Sequence, residues 1–305
     1  MIRFIDLFCG IGGFRLGLER SNNYREPRRQ GDSDLQKEHP NPKTTKTQGY
    51  FCCIWSCDID KWARQIYRKN FGEEPEGDIT KIPADSIPDH DLLCVGFPCQ
   101  SFSIAGKRHG FQDTRGTLFF DICRILRAKR PSYCLLENVK GLLSHDNGET
   151  FKVILESLDE LGYDCQWQVL NSKHFGVPQN RERVFIVGHI RGESRPEVFP
   201  IGGCNNENVG CNQINNPKHS YYRLYGLDGV ANCFRSANGN KATKVPIGTK
   251  IRHLTPTECE RLQGFPDNWT AGVSDTQRYK CLGNAVTVNV IEFLGERLVQ
   301  EVLKL

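Results

Sequence analysis

The chain has 305 residues, of which 38% are hydrophobic and 25% charged, and its net charge is +4. Such a composition is typical of a globular protein with one large domain, or with one large and one small domain. No apolar run reaches the length of a membrane span, and the apolar stretch in MIRFIDLFCG is too short for a signal peptide, so we expect a cytoplasmic protein without a membrane partner.

Short apolar runs alternate with segments of helical period along the chain. The runs predicted as strands are 3–8, 50–58, 91–96, 133–139, 164–172 and 183–190. Apolar residues recur at three and four in the intervening segments GFRLGLER, KWARQIYRKNF, GTLFFDICRILRAKR and ETFKVILESLDELG. This alternation predicts an α/β fold, with a parallel sheet covered by helices on both faces and ligands at the carboxyl ends of the strands.

Two stretches interrupt the alternation. Residues 21–49 are polar and almost free of large apolar side chains, which predicts a solvated loop or a disordered insertion. Residues 191 to about 250 show no clear period and predict a small separate lobe. From Arg191 to His253 there are nine Lys and Arg against four Asp and Glu, so this lobe holds the positive excess of the chain. Order returns at Thr255, which begins a predicted capping box, and a last amphipathic helix is expected to pack on the large domain.

The 14 cysteines are scattered through apolar segments such as YFCCIW and DLLCVG, with no C-x-x-C pair. This distribution predicts mostly reduced core cysteines rather than disulfides. Zinc has weak support, from Cys204, Cys211 and His219 in an irregular stretch, and we expect no metal.

A nucleoside ligand is predicted at the first strand-to-helix turn. DLFCGIGGF places Gly10 and Gly12 where the first strand ends, which lets the backbone approach a ligand, although a tight turn also needs glycine. Asp58 closes the second strand, the usual place for an acid that binds ribose hydroxyls, and Asp78 offers an acceptor for an adenine amine. There is no G-x-x-x-x-G-K-[ST] motif, so ATP hydrolysis is not favoured.

Cys99 lies in a polar, glycine-rich loop, GFPCQSFSIAGKRHG, after the predicted strand 91–96. The thiolate is the reactive form of cysteine, and nearby positive charge or free amides would raise its population. Glu137 ends the next strand, where it is either a solvated strand end or helix cap, or a group that transfers protons beside the thiol. Arg181 and Arg183 in QNRER are either surface charges or a clamp for an anion or substrate.

Six segments, in this order, resemble the motif series of DNA (cytosine-5) methyltransferases: FIDLFCGIGGFRLGLE, GFPCQSFS, ENV, QNRERVF, LTPTECERLQGFPDNW and LGNAVTVNV. The resemblance is to the small bacterial enzymes of restriction-modification systems and extends over most of the chain. It implies a Rossmann-like S-adenosylmethionine-dependent methyltransferase sheet and a small irregular target-recognition domain. We expect the catalytic, cofactor-binding domain over 1–190 and 271–305, with the target-recognition domain and hinge over 191–270.

The resemblance implies that Cys99 adds to carbon 6 of cytosine. Glu137 would hold N3 and the exocyclic amine, and Arg183, with Arg181 beside it, would clamp the pyrimidine carbonyl. S-adenosylmethionine would give its methyl group to carbon 5 and become S-adenosylhomocysteine. The positions that match the family's cofactor-binding residues are Phe8, Gly10, Gly12, Asp58, Ile59, Asp78, Ile79, Pro98, Asn284 and Val286.

The expected partner is duplex DNA. Carbon 6 is inaccessible in a stacked duplex, so the base must be flipped out, and the loop 101–116 would close over it. Glycines of this loop would act as hinges and its basic residues would meet phosphates: Gly106, Gly110, Gly116, Lys107, Arg108 and Arg115. The basic lobe would recognise the DNA sequence. We further expect a bacterial, nucleoid-associated monomer that functions with a restriction endonuclease without a stable complex.

Some positions depart from the family pattern. Asp58 stands where the family usually has Glu, and Ile59 where it often has an aromatic residue. The Thr-Leu pair of the recognition region is not evident. The insertion 21–49 holds six basic residues, which either contact DNA or are simply solvated. Two alternatives stay open: an RNA (tRNA) cytosine-5 methyltransferase, and a non-enzymatic DNA-binding relative, which should have lost a catalytic motif.

Overall fold

The computed structural model describes residues 1–22, 49–98, 118–192, 198–199, 201, 231–232, 244–247 and 250–303. The strands are β1 Ile2–Leu7, β2 Phe51–Cys57, β3 Leu92–Gly96, β4 Tyr133–Val139, β5 Tyr163–Asn171, β6 Gln179–Asn180, β7 Glu182–Ile190, β8 Ala231–Asn232, β9 Lys244–Ile247 and β10 Lys250–His253. The α-helices are α1 Gly13–Ser21, α2 Lys61–Phe71, α3 Leu118–Lys129, α4 Glu149–Glu160, α5 Pro256–Leu262, α6 Asp275–Asn284 and α7 Val288–Leu303.

Six strands form the central sheet, in the order β2-β1-β3-β4-β7-β5. They correspond to the six predicted strands. β1 to β4 are parallel, as predicted, but β7 runs antiparallel to both β4 and β5. The expectation of a wholly parallel sheet was therefore wrong at β7. Only residues 172–181 join β5 to β7, too few for the crossover that parallel neighbours require.

Both faces of the sheet are apolar, because successive side chains of a strand point to opposite sides. On β1, Ile5 and Leu7 belong to a core that includes buried residues of α3 and α4. Phe4 belongs to a second core, which includes residues of α1 and α7. The prediction of helices on both faces, with the last helix packed on the large domain, is confirmed.

A third cluster joins α2, α5 and α6, and it includes Leu254, Cys259 and Trp269. The predicted capping box is present at the start of α5, since Thr255 Oγ1 accepts from the amide of Glu258 and the Glu258 carboxylate accepts from the amide of Thr255. Trp269 Nε1 donates to the carbonyl of Ile11 at 2.9 Å. Residues of 254–270 thus pack against α2, α6 and the turn at Ile11, and the predicted domain boundary at 270 stays a prediction.

The residues that flank the polar insertion lie next to each other, at the end of α1 and the start of β2. Asn22, just after α1, exchanges two hydrogen bonds with the backbone of Phe51 in β2. Residues 23–48 lie outside the described residues, as do most of 191–250 and the three residues that gave zinc its weak support, Cys204, Cys211 and His219. Within the described ranges, no helix is long and apolar enough to cross a membrane.

Candidate active site

The turn between β1 and α1 packs tightly against α2. Gly12 has φ 84°, and a Cβ added to it would lie 2.2 Å from Cε2 of Phe71 in α2. Phe8 also adopts a left-handed conformation, with φ 54°, which is uncommon for a bulky residue. The backbone of this turn is therefore fixed by α2 on one side, and its other side lies at the carboxyl end of the sheet.

Asp58 follows β2 and is held by backbone amides. Its Oδ2 accepts from Gly10 N at 2.8 Å, and its Oδ1 accepts from Asp60 N at 2.7 Å. Burial raises the pKa of Asp58 above its ordinary value, although both backbone hydrogen bonds act in the opposite direction. Each carboxylate oxygen keeps acceptor capacity for a further donor, such as a hydroxyl group.

Next to Asp58, the apolar side chain of Ile59 is 70% exposed. The half-buried carboxylate of Asp78 accepts from Thr80 Oγ1 at 2.7 Å, and the hydrogen bonds to Thr80 hold the pKa of Asp78 below its ordinary value. Ile79 differs from these residues because its side chain is buried in the core, which leaves its backbone as the part that a ligand can contact. Two acceptors beside an open apolar surface fit the hydroxyls, amine and ring of an adenosine.

The turn after α6 lies against the glycine turn. Val286 is buried, and its Cγ1 and carbonyl oxygen lie 2.7 and 3.0 Å from the position of a Cβ on Gly13, so only glycine allows this approach. Asn284 is exposed. Pro98, the last described residue after β3, is also exposed.

The buried Glu137 and the partly buried Arg183 form an ion pair near the carboxyl end of β4. The distance from Arg183 Nε to Glu137 Oε1 is 3.0 Å, and Glu137 is 8% exposed. Glu137 is in register with Gly96 of β3. The neighbouring Asn138 donates to the carbonyl of Phe97 at 2.9 Å, so the ion pair lies beside the backbone that leads to Cys99.

Cys99 and the predicted hinge and phosphate-binding residues of the loop lie outside the described residues. The ten described cysteines are all free, and eight are buried. Burial raises the pKa of Cys53 to about 12 and that of Cys94 well above its usual range. Burial raises the pKa of nine of the described cysteines, and thiols with raised pKa values are poor nucleophiles.

A family model described as C-5 cytosine-specific DNA methylase matches residues 2–220 and 204–300. The chain belongs to this family. The methylase is 36% identical to the Type II methyltransferase M.HhaI of Haemophilus parahaemolyticus, over 96% of this chain and 93% of the relative. It is 40% identical to the Type II methyltransferase M.NgoBI of Neisseria gonorrhoeae, over 96% of this chain and 91% of the relative.

Solved methyltransferase structures share the fold of the methylase. The S. pombe Dnmt2 methyltransferase aligns with a TM-score of 0.72 at 21% identity, with both chains fully covered. The Entamoeba histolytica methyltransferase EhMeth aligns with a TM-score of 0.66 at 22% identity over 99% of both chains. The predicted family and fold class are confirmed: the protein is a DNA (cytosine-5-)-methyltransferase, its methyl donor is S-adenosylmethionine and its substrate is DNA.

The structure separates the two predicted clamp residues of the methylase. Arg183 contacts Glu137, whereas Arg181 is 2% exposed and its Nη2 donates to the carbonyls of Gly283 at 3.2 Å and Ala285 at 2.7 Å. Arg181 therefore contacts the turn that carries Asn284, not the ion pair. Nothing in the sequence QNRER distinguishes the two arginines, because either one is equally compatible with surface charge.

Sequence reasoning missed Arg124 in α3. Its Nη1 and Nη2 each donate at 3.0 Å to the carbonyls of Ile82 and Ile79, and so fix the turn that follows Asp78. An arginine within an amphipathic helix ordinarily indicates a solvated face, so the pattern held no signal for this role. Contacts from α2 and α3 thus fix the backbone at two of the turns that carry predicted cofactor residues.

Proposed function

We propose that the methylase modifies a cytosine everted from a specific duplex DNA sequence, through a transient covalent bond between Cys99 and carbon 6. The observation that supports this most is the largely buried ion pair of Glu137 and Arg183 beside the backbone that leads to Cys99. A carboxyl group and a guanidinium together complement the polar edge of a pyrimidine, which presents N3 between an amine and a carbonyl.

Each proposed step follows from the chemistry of one side chain. The thiolate of Cys99 forms a bond to carbon 6, and the electron pair of the 5,6 double bond moves to carbon 5. Glu137 holds N3 and the exocyclic amine, and Arg183 holds the carbonyl, so that both stabilise the charge that develops on the ring. After methylation at carbon 5, a base removes the carbon-5 proton and the sulfur–carbon bond breaks to restore the double bond. Cysteine suits this sequence because a thiolate both attacks and leaves readily.

When bound, S-adenosylmethionine supplies an electrophilic methyl group. We assign contacts with its ribose hydroxyls to Asp58, and contacts with its adenine to Ile59, Asp78 and the backbone of Ile79. We assign contacts with the rest of the cofactor to the residues of the two turns and to Pro98. These turn residues are Phe8, Gly10, Gly12, Asn284 and Val286. Asp58 keeps unused acceptor capacity on both oxygens, and Ile59 offers an open apolar surface.

Base eversion costs a few kcal/mol, on the order of one lost stacking and pairing interaction. We assign that cost to contacts made by the loop 101–116 and by the basic residues between 191 and 253. The biological role proposed is protection of host DNA from a companion restriction endonuclease, by a monomeric methylase.

The test measures tritiated methyl transfer from S-adenosylmethionine to duplex DNA and to tRNA, with Cys99→Ser as the inactive control. Label in duplex DNA at one sequence, located by bisulfite sequencing, is the expected result. Label in RNA and not in duplex DNA would overturn the proposal, as would full activity of Cys99→Ser. DNA from expressing cells should resist one sequence-specific endonuclease, and sensitivity to every endonuclease that cuts at the methylated site would contradict protection.

A further inference from the structure

Arg181 has an unusual place for an arginine, since it is almost fully buried while its guanidinium contacts main-chain carbonyls. Its Nη2 lies 2.7 Å from the carbonyl oxygen of Ala285 and 3.2 Å from that of Gly283. Asn284, a proposed cofactor residue, lies between these two positions and is exposed. Arg181 thus holds both flanks of Asn284 while leaving its side chain open.

The hydrogen bonds from Arg181 satisfy carbonyl groups at the end of α6 that have no partner within the helix. α6 ends at Asn284, and the last carbonyls of a helix have no partner within it. Besides Arg181, Gln263 supplies a donor: its Nε2 lies 2.9 Å from the carbonyl of Leu282 and 3.3 Å from that of Ala285. Two long buried side chains from other elements therefore fix the path of this turn.

A buried chain of polar groups locks the same turn to the region between β5 and β7. Thr287 Oγ1 donates to Gln263 Oε1 at 2.7 Å and lies 2.8 Å from Ser172 Oγ. Ser172 N in turn donates to the carbonyl of Arg181 at 3.0 Å. Arg181 is consequently held by its own backbone as well as by its side chain.

The two ends of this arrangement reach the two proposed binding sites. Two residues after Arg181, Arg183 pairs with Glu137 at the site proposed for the pyrimidine. One residue after Ala285, Val286 packs against Gly13 of the glycine turn. A continuous path of short contacts therefore connects the base-side ion pair to the turns proposed for the cofactor.

We propose that Arg181 is a positioning residue that sets the methyl donor relative to carbon 5 of the bound cytosine. This inference rests on the proposed function. Methyl transfer requires donor and acceptor to align, and a misplacement of about 1 Å costs roughly 100-fold in rate. Addition of the Cys99 thiolate to carbon 6 requires only the base side of the site. Loss of the Arg181 grip therefore slows methyl transfer without slowing thiol addition.

The experiment separates these two steps on one DNA duplex. Transfer of tritiated methyl groups measures the whole reaction. Release of tritium from carbon 5 of cytosine to water, without cofactor, measures thiol addition, because carbon 5 exchanges its proton only when the adduct makes it a carbanion. We compare the wild type, Arg181→Lys and Arg278→Lys, the last as a matched control. Arg278 is also a largely buried arginine and lies in α6, but its ion pair is with Glu260, at 3.1 Å, and not with carbonyls of this turn.

Lysine keeps the charge of Arg181 but lacks the planar guanidinium that contacts two carbonyls. Arg181→Lys is expected to lower methyl transfer about 10- to 100-fold while exchange stays within about threefold of the wild type. Arg278→Lys is expected to leave the ratio of the two rates unchanged. Thr287→Val, which removes the links to Gln263 and Ser172, should shift the ratio in the same direction by less.

An equal fall in both rates, or no fall in methyl transfer, in Arg181→Lys would overturn the positioning role. If Arg181→Lys does not fold, the ratio in Thr287→Val decides, and an unchanged ratio there overturns the inference. A wild-type enzyme that methylates DNA without any carbon-5 exchange would instead overturn the covalent mechanism.

Discussion

Asp58 and Glu137 are two carboxylates at the same edge of the sheet, and the protein holds them by different means. Backbone amides of Gly10 and Asp60 contact the two oxygens of Asp58, at 2.8 and 2.7 Å. Glu137 instead pairs with a charged side chain, Arg183, at 3.0 Å. The first carboxylate is part of a turn, whereas the second is part of a charge pair on two rigid strands.

This difference suits two tasks. A carboxylate fixed by a turn is suited to orienting a ligand, because its position follows the backbone and its remaining lone pairs accept hydroxyl groups. A carboxylate beside a guanidinium in a buried site is suited to stabilising charge that changes during a reaction. Substitutions should therefore affect different kinetic constants at the two positions.

The largest effect is expected from Glu137→Gln. The amide preserves the shape of the side chain, but it cannot share a proton with N3 and it removes the negative charge that faces Arg183. Loss of a group that acts on protons in the reaction typically costs about 10²- to 10⁴-fold in kcat. Single-turnover methylation should show this fall with cofactor affinity unchanged. Glu182→Gln, which removes an exposed ion pair with Lys140, is the matched control. Equal methylation rates in both variants would contradict a role of Glu137 in the reaction.

Asp58→Ala should act on cofactor binding instead. Hydrogen bonds to charged groups contribute about 1.5–3 kcal/mol, so the Kd for S-adenosylmethionine should rise roughly 10- to 100-fold. At saturating cofactor, kcat should stay near the wild-type value. Calorimetric titration measures the Kd, with the exposed Asp85→Ala as the control. An unchanged Kd would remove Asp58 from the cofactor site.

Glu258 provides a third carboxylate that combines both kinds of partner without a proposed role in the reaction. It accepts from the amide of Thr255 and pairs with Arg252, and the bond to Arg252 lowers its pKa to about 2. Glu258→Gln should cost up to about 1 kcal/mol of stability through the lost ion pair with Arg252, because a glutamine can still accept from the amide of Thr255. It should change neither kcat nor Kd. Urea unfolding near pH 7 measures the cost, and a change in Kd would contradict this separation.

The smallest effect is a difference in pH dependence between Asp58 and Glu258. Burial raises the pKa of Asp58, so the folded protein binds this proton more tightly than the unfolded chain, and stability falls as pH rises between the two pKa values. The pKa of Glu258 is lowered, so its contribution is lost as pH falls from about 4.5 towards 2. Unfolding of Asp58→Asn above pH 3.8, and of Glu258→Gln between pH 4.5 and about 2, should show slope changes of opposite sign relative to the wild type. Slope changes of the same sign would contradict the assignment.

The sequence was sufficient for the features that depend on local patterns. Apolar runs located all six strands of the central sheet, and the spacing of Thr255 and Glu258 located the start of α5. The direction of β7 was missed because strand periodicity is the same in parallel and antiparallel sheets. The contacts of Arg181 were missed because they are made to carbonyls about 100 residues away, which no local pattern encodes.

The most direct test of the account is the site of covalent attachment on a duplex that carries 5-fluorocytosine at the target position. Fluorine cannot leave as a proton does, so the methylated adduct persists and survives denaturation. Mass spectrometry of the digested complex is predicted to locate one nucleotide on the peptide that contains Cys99, and none in Cys99→Ser. Attachment to another cysteine, or methylation of normal duplex with no adduct on the fluorinated one, would contradict the account.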